Sequence, residues 1–297
     1  MRVTNSNTNA MLLRNIQSAQ SDLNGIQGQL ASNKRIQISS DDPAAADAAM
    51  SARATLRRST QLQRNAGQAN QWLTAASQAT GSAVDDLTSA RSLLVQASSG
   101  ALDATARAGI VEQLQQIRSS LLNTAETQVS GRSIFAGTAP GAAYDASGAY
   151  TGDSGAVTMP VAPGVSIQVA RTGPEVFGTA NASDPTNGDV FQLLQSLSTS
   201  VQNGDTAAIS AGLAKIDAAT SRVQSVETEL GSRESQLNSM MSAAKLKDQT
   251  VTSRISDLED VDMAQATISL KAKQTAYEAS LSVAAKILQT SLLDFLK

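Results

Sequence analysis

Two carboxylate groupings are the residues best placed to do chemistry in this chain. One is Asp41-Asp42, within "SNKRIQISSDDPAAADAAM" (32–50), where the basic pair Lys34-Arg35 precedes it. The other is Asp257, Glu259, Asp260 and Asp262 in "DLEDVD". Clustered carboxylates can hold a hard cation, which needs several oxygens gathered around a glycine-enabled turn. "DLEDVD" contains no glycine and lies in a stretch with helical heptads. A solvated face or an interhelix ion pair accounts for it better than a metal. The first pair also has a structural reading. Pro43 suits the first position of a helix, Asp42 then stands at the N-cap, and Asp41 and Asp47 lie near the positive end of the helix dipole.

Composition removes most other chemistry. The 297 residues include no Cys and no His, which excludes thiolate and imidazole metal sites and Ser–His or Cys–His nucleophiles. Only carboxylate–cation or Ser–Lys chemistry remains open to an enzyme. No catalytic residue, metal ligand or cofactor is assigned, and stretches such as "GAAYDASGAYTGDSG" have no phosphate-loop context. A net charge of −3 argues against nucleic acid as a partner. No apolar run approaches the roughly 20 residues of a membrane span, so no membrane partner is expected. "MRVTNSNTNAMLLRN" lacks an apolar core and a small-residue cleavage site, so no cleaved secretory signal is expected. Aromatic residues make up 3% of the chain, few for a ligand pocket but sufficient for narrow helical seams.

The elements that would position these residues are mostly helices. Leu12, Ile16, Ala19, Leu23, Ile26 and Leu30 alternate steps of four and three, the pattern of a coiled-coil seam. Gly25 and Gly28 each cost that helix about 1 kcal/mol relative to Ala, so it needs a partner. A second helix is expected from Pro43 to Ala97, with the stripe Leu62, Ala66, Ala69, Leu73, Ala76, Thr80, Ala83, Leu87, Ala90, Leu94 and Ala97; Trp72 beside it reads as a packing anchor. "SSGALD" (98–103) breaks the pattern, with Ser99 or Asp103 capping the next helix. That third helix carries Ile110, Leu114, Ile117, Leu121 and Ala125, with Gly131 as its C-terminal glycine and Phe135 plugging the end.

Between 139 and 186 the helical period disappears. "GAVTMPV" and "GVSIQVAR" read as short strands in a β-rich insert too small to be very stable alone. Helix resumes at "VFQLLQSLSTSV" (190–201), "NGD" (203–205) turns the chain, and a sevenfold repeat runs on through Ile216, Val223, Leu230, Leu237, Ala244, Val251 and Leu258. About 50 helical residues would span ~75 Å, which signals a rod. The last segment has one stripe of Met263, Leu270, Tyr277, Leu281, Ala284, Leu288, Leu292 and Phe295, and a second of Ile268, Ala272, Ala276, Ala279, Val283 and Ile287. Together they are wider than one partner helix can cover. Lateral contact with other subunits and burial in the chain's own bundle are both open. The expected fold is mainly α: a long helical coiled-coil rod with paired N- and C-terminal helices and a small β-rich insert at the far end. Its expected divisions are 1–40 with 255–297, 41–138 with 187–254, and 139–186.

The end sequences carry a resemblance. The first fifty residues, "NAGQANQWLTAASQATGSAVDDLTSARSLLVQA" (65–97), "GRSIFAGT" (131–138) and "SRISDLEDVDMAQATISLKAKQTAYEASLSVAAKILQTSLLDFL" (253–296) resemble the flagellin superfamily, and within it the hook-associated protein 3 family of hook–filament junction proteins. True flagellins resemble "DDAAG" where this chain has "DDPAAA", and Asn33 stands where both usually carry Gly. A turn with positive φ accepts Asn.

The resemblance implies a non-enzymatic structural protein of the extracellular flagellum, exported unfolded through the flagellar type III apparatus. It implies a closed ring of about eleven subunits joining hook-associated protein 1 to flagellin. It also implies a cytoplasmic export chaperone at the C-terminal region. The inner-helix interface residues it implies are Leu12, Ile16, Leu23, Ile26, Leu30, Ile268, Leu270, Tyr277, Leu281, Val283, Leu288, Leu292 and Phe295, with Asp41, Asp42 and Pro43 as cap and spoke. The alternatives are flagellin itself, a hard-cation enzyme, and a free-standing coiled-coil adhesin or scaffold.

Overall fold

The small-residue stripe of the second helix organises the larger part of the fold. In the computed structural model, which describes residues 2–100, 102–179 and 188–295, Ala66, Ala69, Leu73, Ala76, Thr80, Ala83, Leu87, Ala90, Leu94 and Ala97 are all buried. They lie on α2 (Pro43–Ala97), whose bounds coincide with those expected from Pro43 and the "SSG" break. Trp72 is buried in the same core, with the Arg132 guanidinium 5.8 Å from its ring centre. Alanines at every second contact or closer let neighbouring backbones come close, and the leucines and Thr80 between them fill the gaps.

The chain is mainly α, with long helices and two small hairpins. Helix α1 (Arg2–Ser32) precedes α2, and α3 (Ala104–Ala125) comes after it; Asp103, not Ser99, is the N-cap and accepts from the Ala106 N–H at 2.7 Å. Strands β1 (Gln128–Val129) and β2 (Arg132–Ser133) form a tight hairpin. Gly131 therefore does not end α3, which stops at Ala125. It lies in the hairpin turn, where Ser130 and Gly131 both have positive φ, the backbone that matches strand twist. Strands β3 (Thr158–Ala162) and β4 (Val165–Gln168) pair antiparallel within the two segments read as strands, and a short helix α4 (Gly173–Phe177) comes next. The end of the expected insert, 180–186, lies outside the described residues. Helices α5 (Val190–Asn203), α6 (Thr206–Glu259) and α7 (Met263–Phe295) complete the chain.

Backbone contacts divide the chain into two compact units, 1–58 with 247–297, and 59–246. Unit 59–246 holds one continuous core, built from α2, α3, α5, α6 and the insert. The sevenfold repeat of α6 is fully buried at Ile216, Val223, Leu230 and Leu237; Ala244, Val251 and Leu258 are only half-buried. Six of the chain's eight aromatic residues lie in this unit, and five of them form one cluster. Phe135, Tyr144, Tyr150, Phe177 and Phe191 meet at ring-centre distances of 4.9–5.9 Å, mostly edge to face. In the unit of 1–58 and 247–297, α1 packs along α7. Among its described residues the buried apolar side chains are all alanines: Ala45, Ala46, Ala49, Ala266 and Ala284.

Candidate assembly surface and the joint behind it

The seam predicted on α1 is the face it turns inward. Leu12, Ile16, Ala19, Leu23, Ile26 and Leu30 are each half-buried, while Met11 and Leu13 beside them are exposed. On α7 the two stripes separate. Leu270, Tyr277 and Ala284 lie on the covered face with Ala266, and an ion pair from Lys273 to Asp22 ties the helices together. Ile268, Ala272, Ala276, Ala279 and Val283 form a continuous exposed stripe, and Leu281 is also exposed. Ile268 is 65% and Val283 50% exposed, values that set them apart from core residues. The side chains of Ile287, Leu288, Leu292 and Phe295 lie outside the described residues.

The two acidic groupings meet next to each other. The break between α6 and α7 falls at 260–262, so "DLEDVD" is not one uninterrupted helix as its heptad context suggested. The turn 33–42 sits against that break. The Arg35 N–H donates to the Glu259 carbonyl at 2.6 Å, the Val261 N–H to the Asn33 carbonyl at 3.2 Å, and the Arg35 guanidinium to the Leu258 carbonyl at 2.8 Å. Asn33 has φ +56°, the left-handed conformation anticipated for it. Glu259, buried, accepts from Lys34 Nζ at 2.6 Å and from the Arg53 guanidinium. Asp42 caps α2 through the Ala45 N–H at 3.0 Å and pairs with Arg35 at 3.2 Å. Asp41 serves the turn instead of the helix, accepting from the N–H groups of Gln37 and Ile38. Those backbone bonds, from Ile38 and Gln37 at Asp41 and first from Ala45 at Asp42, hold both carboxyls below the usual range. Among the described residues no three acidic side chains converge on a possible metal position.

Sequence reasoning missed Arg53. It continues the Ala46–Ala49 stripe at helical spacing, is itself exposed, and reaches the buried Glu259 carboxylate. It also missed the arginines that fasten the insert. Arg171 pairs with Glu229 at 2.5 Å and with Glu175 at 3.1 Å, and Arg233 donates to the Gln168 carbonyl at 3.0 Å. Arg222 donates to the Val176 carbonyl at 3.0 Å, and Arg118 to the Ser147 carbonyl at 2.5 Å. Arg222, Glu229 and Arg233 share one face of α6 beside its apolar heptads, a polar stripe visible in the spacing.

These contacts predict a two-sided pH dependence. Burial pushes the Glu229 carboxyl up, but the hydrogen bond from Arg171 and the charges of Arg233 and Arg171 outweigh it and leave the group low. Asp145 and Asp153 are also held low, by the Ser147 and Thr138 hydroxyls first and then by backbone N–H groups. Their stabilisation is present above the unfolded carboxylate pKa of about 4 and is lost as pH falls below it. Burial raises Asp189 and Asp86, so their contribution is fully present below that value and lost as pH rises through their raised pKa. Thermal unfolding followed from pH 7 downward is expected to stay level or rise slightly to about pH 5 and fall steeply below about 4. Asp189→Asn should flatten the upper limb; a monotonic fall from pH 7 contradicts the assignment.

Comparison with known proteins places these features in a family. The family model of the bacterial flagellin N-terminal helical region matches residues 3–139, and that of the flagellin C-terminal helical region matches 213–296. The chain belongs to the flagellin family. The N-terminal match contains α1 and the 33–53 side of the joint, the C-terminal match contains α7 and the 258–262 side, and the region between them contains β3, β4 and α5. Within the flagellin family, the chain is 29% identical over 187 residues to flagellar hook-associated protein 3 of Salmonella typhimurium (strain LT2), covering 61% of this chain. It spans 59% of the length of that relative. Among solved structures it is similar to a Vibrio parahaemolyticus protein put forward as a flagellar hook-associated protein (24% identity, TM-score 0.67, 74% of this chain and 100% of that one). It is also similar to the flagellar junction protein FlgL of Legionella pneumophila (16% identity, TM-score 0.58, 72% and 100%). At these identities the solved structures speak for the flagellin-family fold.

Proposed function

We propose that this chain is a structural subunit of the bacterial flagellum, an adaptor at the junction between hook and filament. The observation that carries the reading is the terminal helix pair. It has a half-buried seam, no buried apolar residue larger than alanine among those described, and a continuous apolar stripe left uncovered on α7. Such a pair gains its stability from neighbours, as a segment that orders on assembly does. Family membership and the names of the relatives point the same way. In this reading Leu12, Ile16, Leu23, Ile26, Leu30, Leu270 and Tyr277 hold the pair together. Ile268, Leu281 and Val283 meet adjacent copies in a ring, an interface to which the family resemblance also assigns Leu288, Leu292 and Phe295. The partners are hook-associated protein 1, flagellin and, before export, a chaperone at the C-terminal region. The working divisions are a terminal coiled coil (1–40 with 255–297), a helical bundle (41–138 with 187–254) and an outer insert (139–186).

Electron microscopy tests the reading. A strain lacking the protein is expected to carry hooks without filaments, and the purified protein is expected not to form long filaments alone. Filaments from the purified protein would make it a flagellin; normal flagella on the deletion strain would remove it from the junction.

A further inference from the structure

Glu259 has more built around it than a helix end requires. It is the last residue of α6, its side chain is 8% exposed, and two cations reach it from two separate elements: Lys34 from the turn after α1, and Arg53 from the fourth turn of α2. The Glu259 carbonyl is itself held by the Arg35 N–H. Asp260 adds a weaker contact to Lys34 at 3.8 Å, and the Ser256 hydroxyl donates to the other Asp260 oxygen. No glycine or proline marks the 260–262 break. Both interruptions of the long helices, 33–42 and 260–262, are therefore bonded to each other.

We infer that Glu259 is a clasp: through Lys34 and Arg53 it locks the two helix breaks together, so that α1 and α7 leave the long helices as one unit and not independently. The physical asymmetry of the site gives the clasp a signature. Lys34 and Arg53 are 39% and 44% exposed, so losing their partner returns them to water at little cost. Glu259 is buried, so losing both cations leaves an uncompensated charge, which is far worse. Either cation alone still neutralises it.

Hydrogen exchange on the full chain, read at the Arg35 and Val261 amides, tests this inference independently of any role in the flagellum. Glu259→Gln is expected to speed exchange of both amides at least tenfold, while Asp257→Asn, which removes a nearby exposed charge, leaves them unchanged. Lys34→Met and Arg53→Met alone should each have a small effect, and together an effect exceeding the product of the two. Tryptic cleavage after Arg35, which every variant retains, should accelerate in the same order. Equal exchange in Glu259→Gln and Asp257→Asn overturns the clasp, as do amides at Arg35 and Val261 no better protected in the parent chain than those of α1.

Discussion

A chain ended after Met263 is expected to fold its 59–246 unit normally and to lose flagellar assembly completely. Deleting 264–297 removes nearly all of α7, and with it the covered face of Ala266, Leu270, Tyr277 and Ala284. The α1 seam would then expose five large aliphatic side chains, each losing on the order of 1 kcal/mol if half its burial is lost. Helix α1 carries Gly25 and Gly28 and has no other partner helix among the described contacts, so it should melt in the monomer. The core of the 59–246 unit contains no residue from α1 or α7. Its melting temperature should therefore move by no more than about 2 °C, well under the shift of a single lost core contact. The measurement is two-fold: thermal unfolding of the purified truncated chain, and electron microscopy of cells producing it in place of the full-length protein. Filaments of normal number on those cells would defeat the assembly role given to α7. A large drop in melting temperature would show instead that the terminal pair supports the rest of the chain.

Much of this organisation is legible in the sequence because local signals and tertiary packing agree. Pro43 starts α2 and the "SSG" run ends it, and the Ala–Leu stripe between them is the buried face. The α1 seam is legible for the same reason: a six-residue alternation leaves only one face to bury. The repeat ending at Leu258 and the new stripe from Met263 bracket the α6–α7 break, but what holds it is not legible. Leu258 continues the heptad phase to its edge, and the break is held by the Arg35 and Val261 N–H groups bonding across to a different element. A sequence window contains no trace of such bonds. Gly131 misleads in another way. A glycine near a helix end fits a terminator, but Ser130 also takes positive φ, and the pair turns a hairpin. Gly137, also in "GRSIFAGT", is required for a reason visible only in space: an added Cβ would lie 2.6 Å from the Asp153 carbonyl oxygen. The α7 stripes show the limit of periodicity. It finds that the apolar face is too wide for one partner, but only the fold shows which half α1 covers.

Phe191→Ala is expected to cost about 3–5 kcal/mol, the range for a fully buried aromatic truncated to alanine, and to do so for the whole 59–246 unit. Phe191 is the second residue of α5, and its ring meets Tyr144 at 4.9 Å and Phe177 at 5.5 Å. Its N–H is held by the Asp189 carboxylate and its carbonyl by Arg118, so the backbone cannot shift to fill the cavity. The adjoining rings belong to the insert, and Leu194 and Leu197 on the same helix belong to the helical core. One truncation therefore reaches both. For a unit of this size the loss lowers the melting temperature by roughly 6–20 °C. Two probes separate the possibilities. Near-ultraviolet dichroism is sensitive to Tyr144 and Tyr150 in the insert cluster, and fluorescence reports Trp72, packed on α2 beside Arg132. If insert and helices melt as one, both transitions fall together and remain superimposed. A tyrosine transition that falls while that of Trp72 stays in place would mean the insert is only lodged on the helices. The shared core predicts the first outcome, because Phe135, Phe177 and Phe191 have no separate apolar cluster to retain once α5 loosens.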